Sequence, residues 1–132
     1  MILVDANVFF DIWEPDPLWQ AWSQGQLRHQ SLLHELAINP IVYAEISVSF
    51  SAPSTLDKKL EGLGVRVLNF PRSAAFLAGK AYQQYRRRGG IKTNVLADFL
   101  IGAHAATLSC ALLTRDTRCY SSYFPSVSLI AP

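Results

Sequence analysis

Cysteine is scarce in these 132 residues, with only Cys110 and Cys119 present. One possible bridge is no disulfide framework. The flanking Ser109-Cys110-Ala111 and Arg118-Cys119-Tyr120 resemble neither a CxxC nor a zinc-ligand pair, so both are read as reduced thiols. Long apolar runs are missing too, and none approaches the ~18–20 residues that span a bilayer. The opening Met1-Ile2-Leu3-Val4-Asp5 has no basic region ahead of it and no cleavage site, so it is not read as a signal peptide. These absences lead to the expectation of a cytoplasmic protein with no membrane association. Charge is sparse as well, at 17% of residues, but half the chain is hydrophobic, which excludes global disorder. The length fits one domain over residues 1–132.

Neither sign of charge dominates, since 12 basic residues face 10 acidic ones. Distribution is more informative than the net value. Arg86-Arg87-Arg88 is the one dense basic run, followed by Gly89-Gly90 and Lys92, and Arg115 and Arg118 flank Asp116.

What is present reads as strands alternating with helices. Ile2-Leu3-Val4 is a short buried strand, and Asn7 suits the N-cap of a helix carrying Val8, Phe9, Phe10 and Ile12. A second helix is expected over 17–28, with Leu18, Trp22 and Leu27 toward the core. Leu36-Ala37-Ile38 is a strand, after which Asn39 caps a helix with Pro40 at its first position. Further helices are expected over 55–62, 73–88 and 95–108, the last as the central one by its small, apolar residues. In the 73–88 helix Phe76, Leu77, Ala81, Tyr82 and Tyr85 recur at helical spacing. Strands are expected at 65–68, 111–113 and, at an edge, 127–130. Such alternation predicts an α/β fold in three layers, α/β/α, around a mostly parallel sheet of four to five strands. Ligands in such sheets bind at the carboxyl ends of the strands, where Asp5 and Asp116 fall.

Four of the acids lie in sequence that should be buried: Asp5, Glu45, Asp98 and Asp116. Each has an ordinary reading alone, as a turn cap, a wet helix face, a first-turn acid answering the helix dipole, or a turn aspartate. Holding all four ordinary readings together is harder, because unpaired buried charge is costly. Clustered carboxylates need protons or a cation. Hard divalent ions, Mg²⁺ or Mn²⁺, favour oxygen ligands, whereas zinc would want a cysteine or histidine beside the acids. His104 lies roughly 120° around the helix from Asp98 and is given a core or surface role. Asn7 and Thr114 are candidates to orient the carboxylates, and Asn94 to cap the helix of Asp98.

The order of these pieces resembles PIN-domain proteins. Ile2-Leu3-Val4-Asp5-Ala6-Asn7-Val8 is similar to their opening strand and acid, Asp98-Phe99-Leu100-Ile101-Gly102-Ala103-His104-Ala105 to their central helix, and Leu113-Thr114-Arg115-Asp116 to their late strand and its acid. The length further resembles the VapC-like toxins of type II toxin–antitoxin pairs. The resemblance implies a Mg²⁺- or Mn²⁺-dependent endoribonuclease, a homodimer, and inhibition by a small antitoxin. It implies Asp5, Glu45, Asp98 and Asp116 as catalytic acids, with Asp5, Asp98 and Asp116 on the metal and Asn7 helping.

For RNA substrate, Arg86, Arg87, Arg88, Arg115 and Arg118 are the candidate phosphate contacts, with helix-end charges or pairing to acids as their ordinary readings. The aromatic residues Phe9, Phe10, Trp13, Trp19 and Trp22, with part of the 32–61 segment, are the candidate groove for an antitoxin helix. The competing readings are a housekeeping RNA-processing nuclease of the same family and a non-catalytic RNA- or protein-binding module. Phosphoacceptor and phosphatase readings fit poorly: no lysine follows Lys92, and Asn7 stands where a second aspartate would be required.

Overall fold

A three-residue strand is too short to persist alone and needs a sheet around it. In the computed structural model, which describes residues 1–132, β1 (Ile2–Val4) has β2 (Leu36–Ile38) on one side and β4 (Ala111–Leu113) on the other. β3 (Val65–Val67) lies beyond β2, and β5 (Leu129–Ile130) beyond β4. The order is β3-β2-β1-β4-β5, and all five strands run parallel. The α/β expectation therefore holds, with a sheet wholly rather than mostly parallel. Every residue of β1 and β2 is buried, which is why these strands read as continuous apolar runs without alternation.

Seven helices connect the strands: α1 (Ala6–Trp13), α2 (Gln20–Leu33), α3 (Pro40–Ser47), α4 (Pro53–Gly62), α5 (Arg72–Arg87), α6 (Leu96–Leu108) and α7 (Arg118–Tyr123). The crossovers β1-to-β2 and β2-to-β3 advance toward one edge, and β3-to-β4 and β4-to-β5 toward the other. Right-handed crossovers thus place α1–α4 on one face and α5–α7 on the opposite face, giving the three layers. The direction reverses between β1 and β4, so the topological switch point lies at their carboxyl ends. A cluster of 26 buried apolar residues draws on both strands and helices.

Several local expectations are corrected. Asp5, not Asn7, is the N-cap of α1, because its Oδ1 accepts from the Ala6 amide at 2.7 Å while Asn7 lies within the helix. α2 starts at Gln20, since the Asp16 carboxylate accepts from the amides of Leu18 and Trp19 and holds a turn there. Leu18, expected in the core, is 74% exposed. α5 buries Ala74, Ala78 and Ala81, and this small-residue side is what packs closely on α6. Phe76, counted on the apolar repeat, is 70% exposed with the Lys80 ammonium over its ring. Phe9, expected in a partner groove, is wholly buried. The short helix α7 lies where the sequence pattern marks no element. The Asn39 cap of α3 is as expected, its Oδ1 accepting from the Val42 amide at 2.9 Å.

One ion pair stitches the N-terminal helices to the segment after β4. Asp11 is 1% exposed, accepts from Ser23 Oγ at 2.6 Å and receives Arg115 through Nε at 2.9 Å and Nη2 at 2.8 Å. The Arg115 guanidinium also lies over the Trp19 ring. Removing one partner of such a pair strands the other charge, whereas replacing both with apolar groups does not. Arg115→Ala is expected to lower folding stability by about 3 kcal/mol, and Asp11→Leu/Arg115→Met by clearly less. Urea denaturation of the two variants checks this, and a double variant as weak as the single would refute it.

Candidate active site

β1 ends at Val4, so its next residue emerges at the switch point beside the end of β4. That residue is Asp5, only 5% exposed. A carboxylate so buried needs every lone pair answered. Oδ1 takes the Ala6 amide, and Oδ2 accepts from Thr114 Oγ1 and from the Tyr120 hydroxyl, each at 2.8 Å. Asn7 Nδ2 adds a longer contact at 3.4 Å. Burial raises the Asp5 pKa, the hydrogen bonds from Thr114, Tyr120 and Ala6 pull it back, and Asp116 raises it further.

Thr114 is the hinge of this arrangement. Its single hydroxyl proton goes to Asp5, and the same oxygen accepts from Asn7 Nδ2 at 3.2 Å and from the Asp116 amide at 3.1 Å. Asn7 Oδ1 accepts from the Arg115 amide at 3.3 Å. Asn7 and Thr114 therefore tie the end of β1 to the backbone that carries Asp116.

The four expected acids share one cavity of about 190 Å³, whose lining includes Asp5, Glu45, Asp98 and Asp116 with Asn7 and Tyr120. Asp98 stands in the first turn of α6, where no side chain caps the helix. Asp98 is thus both a first-turn acid of α6, facing the helix dipole, and part of the wall of the acid cavity. Burial, then Asp5, then Asp116, raise the Asp98 pKa to about 6. Burial, then Asp5, then Asp98, raise Glu45 to about 7. Glu45 Oε1 is buried and has no hydrogen-bond partner.

The arginines divide differently from expectation. Arg115 is engaged by Asp11 and lines neither this cavity nor the neighbouring one. Arg86 rests on Tyr82 and Arg88 on the Tyr123 ring, and no residue of the 86–88 run lines either cavity. Arg118 lines the neighbouring hollow beside Asp116, its Nε 3.6 Å from Oδ1. His104 is buried away from the acids, with Nδ1 3.2 Å from Asn39 Nδ2. The amide donates there, so the ring proton sits on Nε2. His104 thus joins α6, which carries Asp98, to the cap of α3, which carries Glu45.

Sequence reasoning missed Tyr120 and Cys119. Tyr120 lies four residues past Asp116, as the third residue of α7, and nothing in the local sequence marks it. Cys119 lines the acid cavity, contrary to the expectation that no cysteine accompanies the acids. Burial, with Asp98, Asp116 and Asp5 adding to it, pushes its thiol up to about 12, so it is neutral near pH 7 and offers no thiolate. The donor set therefore remains one of hard oxygens.

No three of the histidine, cysteine, aspartate and glutamate side chains converge closely enough to enclose an ion unaided. Magnesium does not require that, because it keeps several waters and is commonly held by one or two carboxylates with substrate phosphate oxygens. The unpartnered Glu45 Oε1 and the elevation of both Glu45 and Asp98 by burial and like charge are what a cation in this cavity would relieve. The residues present fit such a group.

Comparison with curated proteins gives no match. Among solved structures the chain is similar to one in VapBC2 from Rickettsia felis bound to a DNA fragment from their promoter, with 23% identity, TM-score 0.73, and 100% of this chain and 99% of that one covered. It is also similar to one in FitAcB from Neisseria gonorrhoeae, with 25% identity, TM-score 0.70, and 98% and 96% covered. A third is a toxin-antitoxin complex from Klebsiella pneumoniae, with 21% identity, TM-score 0.64, and 96% and 95% covered. The PIN domain family model matches residues 2–124. That span holds both strand-end acids, both helix-borne acids and the tyrosine that completes the hydrogen bonding of Asp5, and over it the chain belongs to the PIN domain family.

Proposed function

We propose that this chain is a Mg²⁺- or Mn²⁺-dependent endoribonuclease, acting as the toxin of a type II toxin–antitoxin pair. The observation that carries the reading is the buried, unpartnered Glu45 Oε1 in a cavity shared with Asp5, Asp98 and Asp116. The ion would sit among Asp5, Asp98 and Asp116, bound directly by one or two of these carboxylates, with waters and substrate phosphate oxygens completing its shell. Bound there, it would lower the pKa of a water and offset the charge of a phosphate in flight. Asp5 is held rigid by Thr114 and Tyr120, so its position does not depend on substrate. Glu45, whose Oε1 has no hydrogen-bond partner in the protein, would take a proton from an attacking water. Arg118 at the rim and Arg86, Arg87 and Arg88 farther out would attract the RNA backbone. Purified protein with Mn²⁺ is expected to cut single-stranded RNA, and Asp98→Asn to cut it at least ~100-fold more slowly with no loss of folding stability. Intact RNA with the wild-type protein would end the nuclease reading.

The same carboxylates set a pH signature. Their elevated values mean that the folded chain keeps protons that the unfolded chain, near its ordinary values of about 4, has already lost. The stability so conferred is present at low pH and is lost as pH rises through about 6 and about 7. Without a divalent ion, the Tm is expected to fall from pH 5 to pH 8, with Glu45→Gln flattening that slope. Mg²⁺ or Mn²⁺ should raise the Tm more at pH 8 than at pH 5.5. Thermal scans with and without the ion check both statements, and a divalent effect independent of pH would contradict them.

The toxin role rests on the similarity to toxin–antitoxin structures and on an open groove. A hollow of about 810 Å³ is lined by Ile12, Trp13, Phe50 and Leu63 with Lys58 and Lys59 at its side, a mixture suited to an amphipathic partner helix. The cognate antitoxin would dock there. Homodimer formation belongs to this reading, with Phe76 and Leu77 as exposed apolar residues on α5, and so does a cytoplasmic setting. Trp13→Ala is expected to weaken the antitoxin complex ~10–100-fold while the free variant still cleaves RNA. Isothermal titration with the product of the adjacent small gene measures it, and unchanged affinity would displace the docking site.

A further inference from the structure

A second hollow, of about 500 Å³, adjoins the carboxylate cavity. Asp98, Asp116 and Cys119 line both. The rest of its lining includes Tyr85, Lys92, Asn94 and Arg118. It is therefore bipolar: acids on the side shared with the reacting centre, and two cations and an amide elsewhere.

The segment bearing Lys92 and Asn94 is built into place. α5 ends in a turn where Gly89 takes φ +87°, and the chain then lies across the Tyr85 ring. A Cβ at Gly90 would stand 2.4 Å from Tyr85 Cζ, so only glycine permits this approach. The Tyr85 hydroxyl accepts from the Lys92 amide at 3.0 Å. The ring cannot easily retreat, because it packs against Tyr82, Phe99 and Tyr123. Lys92 has no carboxylate within ion-pair distance, and the Arg118 side chain is 92% exposed with only a 3.6 Å approach to Asp116.

Anions next to carboxylates need local cations, and here an unpaired Lys92 and an Arg118 held only by a long, exposed contact with Asp116 line a hollow of nucleotide-binding size. We propose that this hollow is a nucleotide subsite for single-stranded RNA. Lys92 and Arg118 hold the phosphate adjacent to the scissile one, and the Asn94 amide reads the sugar or base edge beside it. The proposal rests on the nuclease reading and adds to it the residues of this chain that hold the nucleotide flanking the cleaved linkage.

The test uses a single-stranded oligoribonucleotide that the wild-type protein cuts, and versions of it in which a neutral methylphosphonate replaces the phosphate on either side of the cleaved linkage. Lys92→Ala is expected to raise KM about tenfold on the all-phosphate RNA, the loss of one charge-assisted contact, with kcat within about twofold and Mn²⁺ affinity unchanged. Arg118→Ala should behave alike, and Arg72→Ala, which removes a distant charge, should stay near wild type. On one of the two neutral-linkage RNAs, Lys92→Ala and the wild-type protein should become equal. An equal loss on all three RNAs, or no loss on any, would overturn the subsite while leaving the nuclease reading intact. A Lys92→Ala effect on antitoxin affinity but not on KM would make the hollow a protein contact and also overturn it. Failure of the wild-type protein to cut any RNA would remove the nuclease reading, and the subsite with it.

Discussion

A carboxylate closed away from solvent at the end of the central strand is the constraint on which the rest of this molecule turns. Asp5 follows β1, the middle strand of the five, and it has almost no access to water. Ionised, it must be satisfied by neighbours, and those neighbours come from distant parts of the chain: Thr114 after β4 and Tyr120 in α7. The C-terminal elements therefore have to seat correctly for Asp5 to be tolerated. The cap of α1, the end of β4 and the placement of α7 are consequences of one group's need for hydrogen bonds.

Charge then dictates chemistry. Asp5 raises its neighbours, and Glu45 and Asp98 rise together because each is partly buried and faces like charge. A fold that spends stability in this way at its topological switch point has placed a cation-hungry centre where parallel sheets bind ligands. Around the centre lie two polar supports that touch no acid of the cluster through their side chains. Asp11 with Arg115 fixes the residue beside Asp116, and Asn39 with His104 ties α3 to α6. Both keep the elements that carry the acids in step. Arg115 illustrates why counting basic residues near an acid is a poor guide to substrate contact: its charge is already consumed by a buried aspartate.

Some of this was legible in the residues. Ile2–Val4, Leu36–Ile38 and Ala111–Leu113 emerged as strands because strands buried on both faces are unbroken apolar runs. Asn39-Pro40 marked a helix start because the cap and the missing proline amide are local chemistry. The acids stood out because aspartate and glutamate are rarely set in apolar sequence without a reason. The errors have a common origin. Phe76 looked like core by helical spacing, yet the face of α5 that packs on α6 is the alanine face, since close approach favours small residues there. Asn7 looked like a cap because its side chain type caps helices, but Asp5 was nearer to the first amides.

The chain by itself determined what was local or periodic: the parallel α/β plan, the positions of the strand ends and the four carboxylates that punctuate the core. Only the tertiary structure decided which side chains meet. It brought Tyr120 and Cys119 to the acids, gave Arg115 to Asp11, buried His104 against Asn39 and left Lys92 unpaired beside Arg118. The reason is physical. Helix and strand periods are set by the backbone within a few residues, whereas pairings between residues a hundred positions apart depend on how crossovers stack and on which buried polar groups would otherwise go unsatisfied.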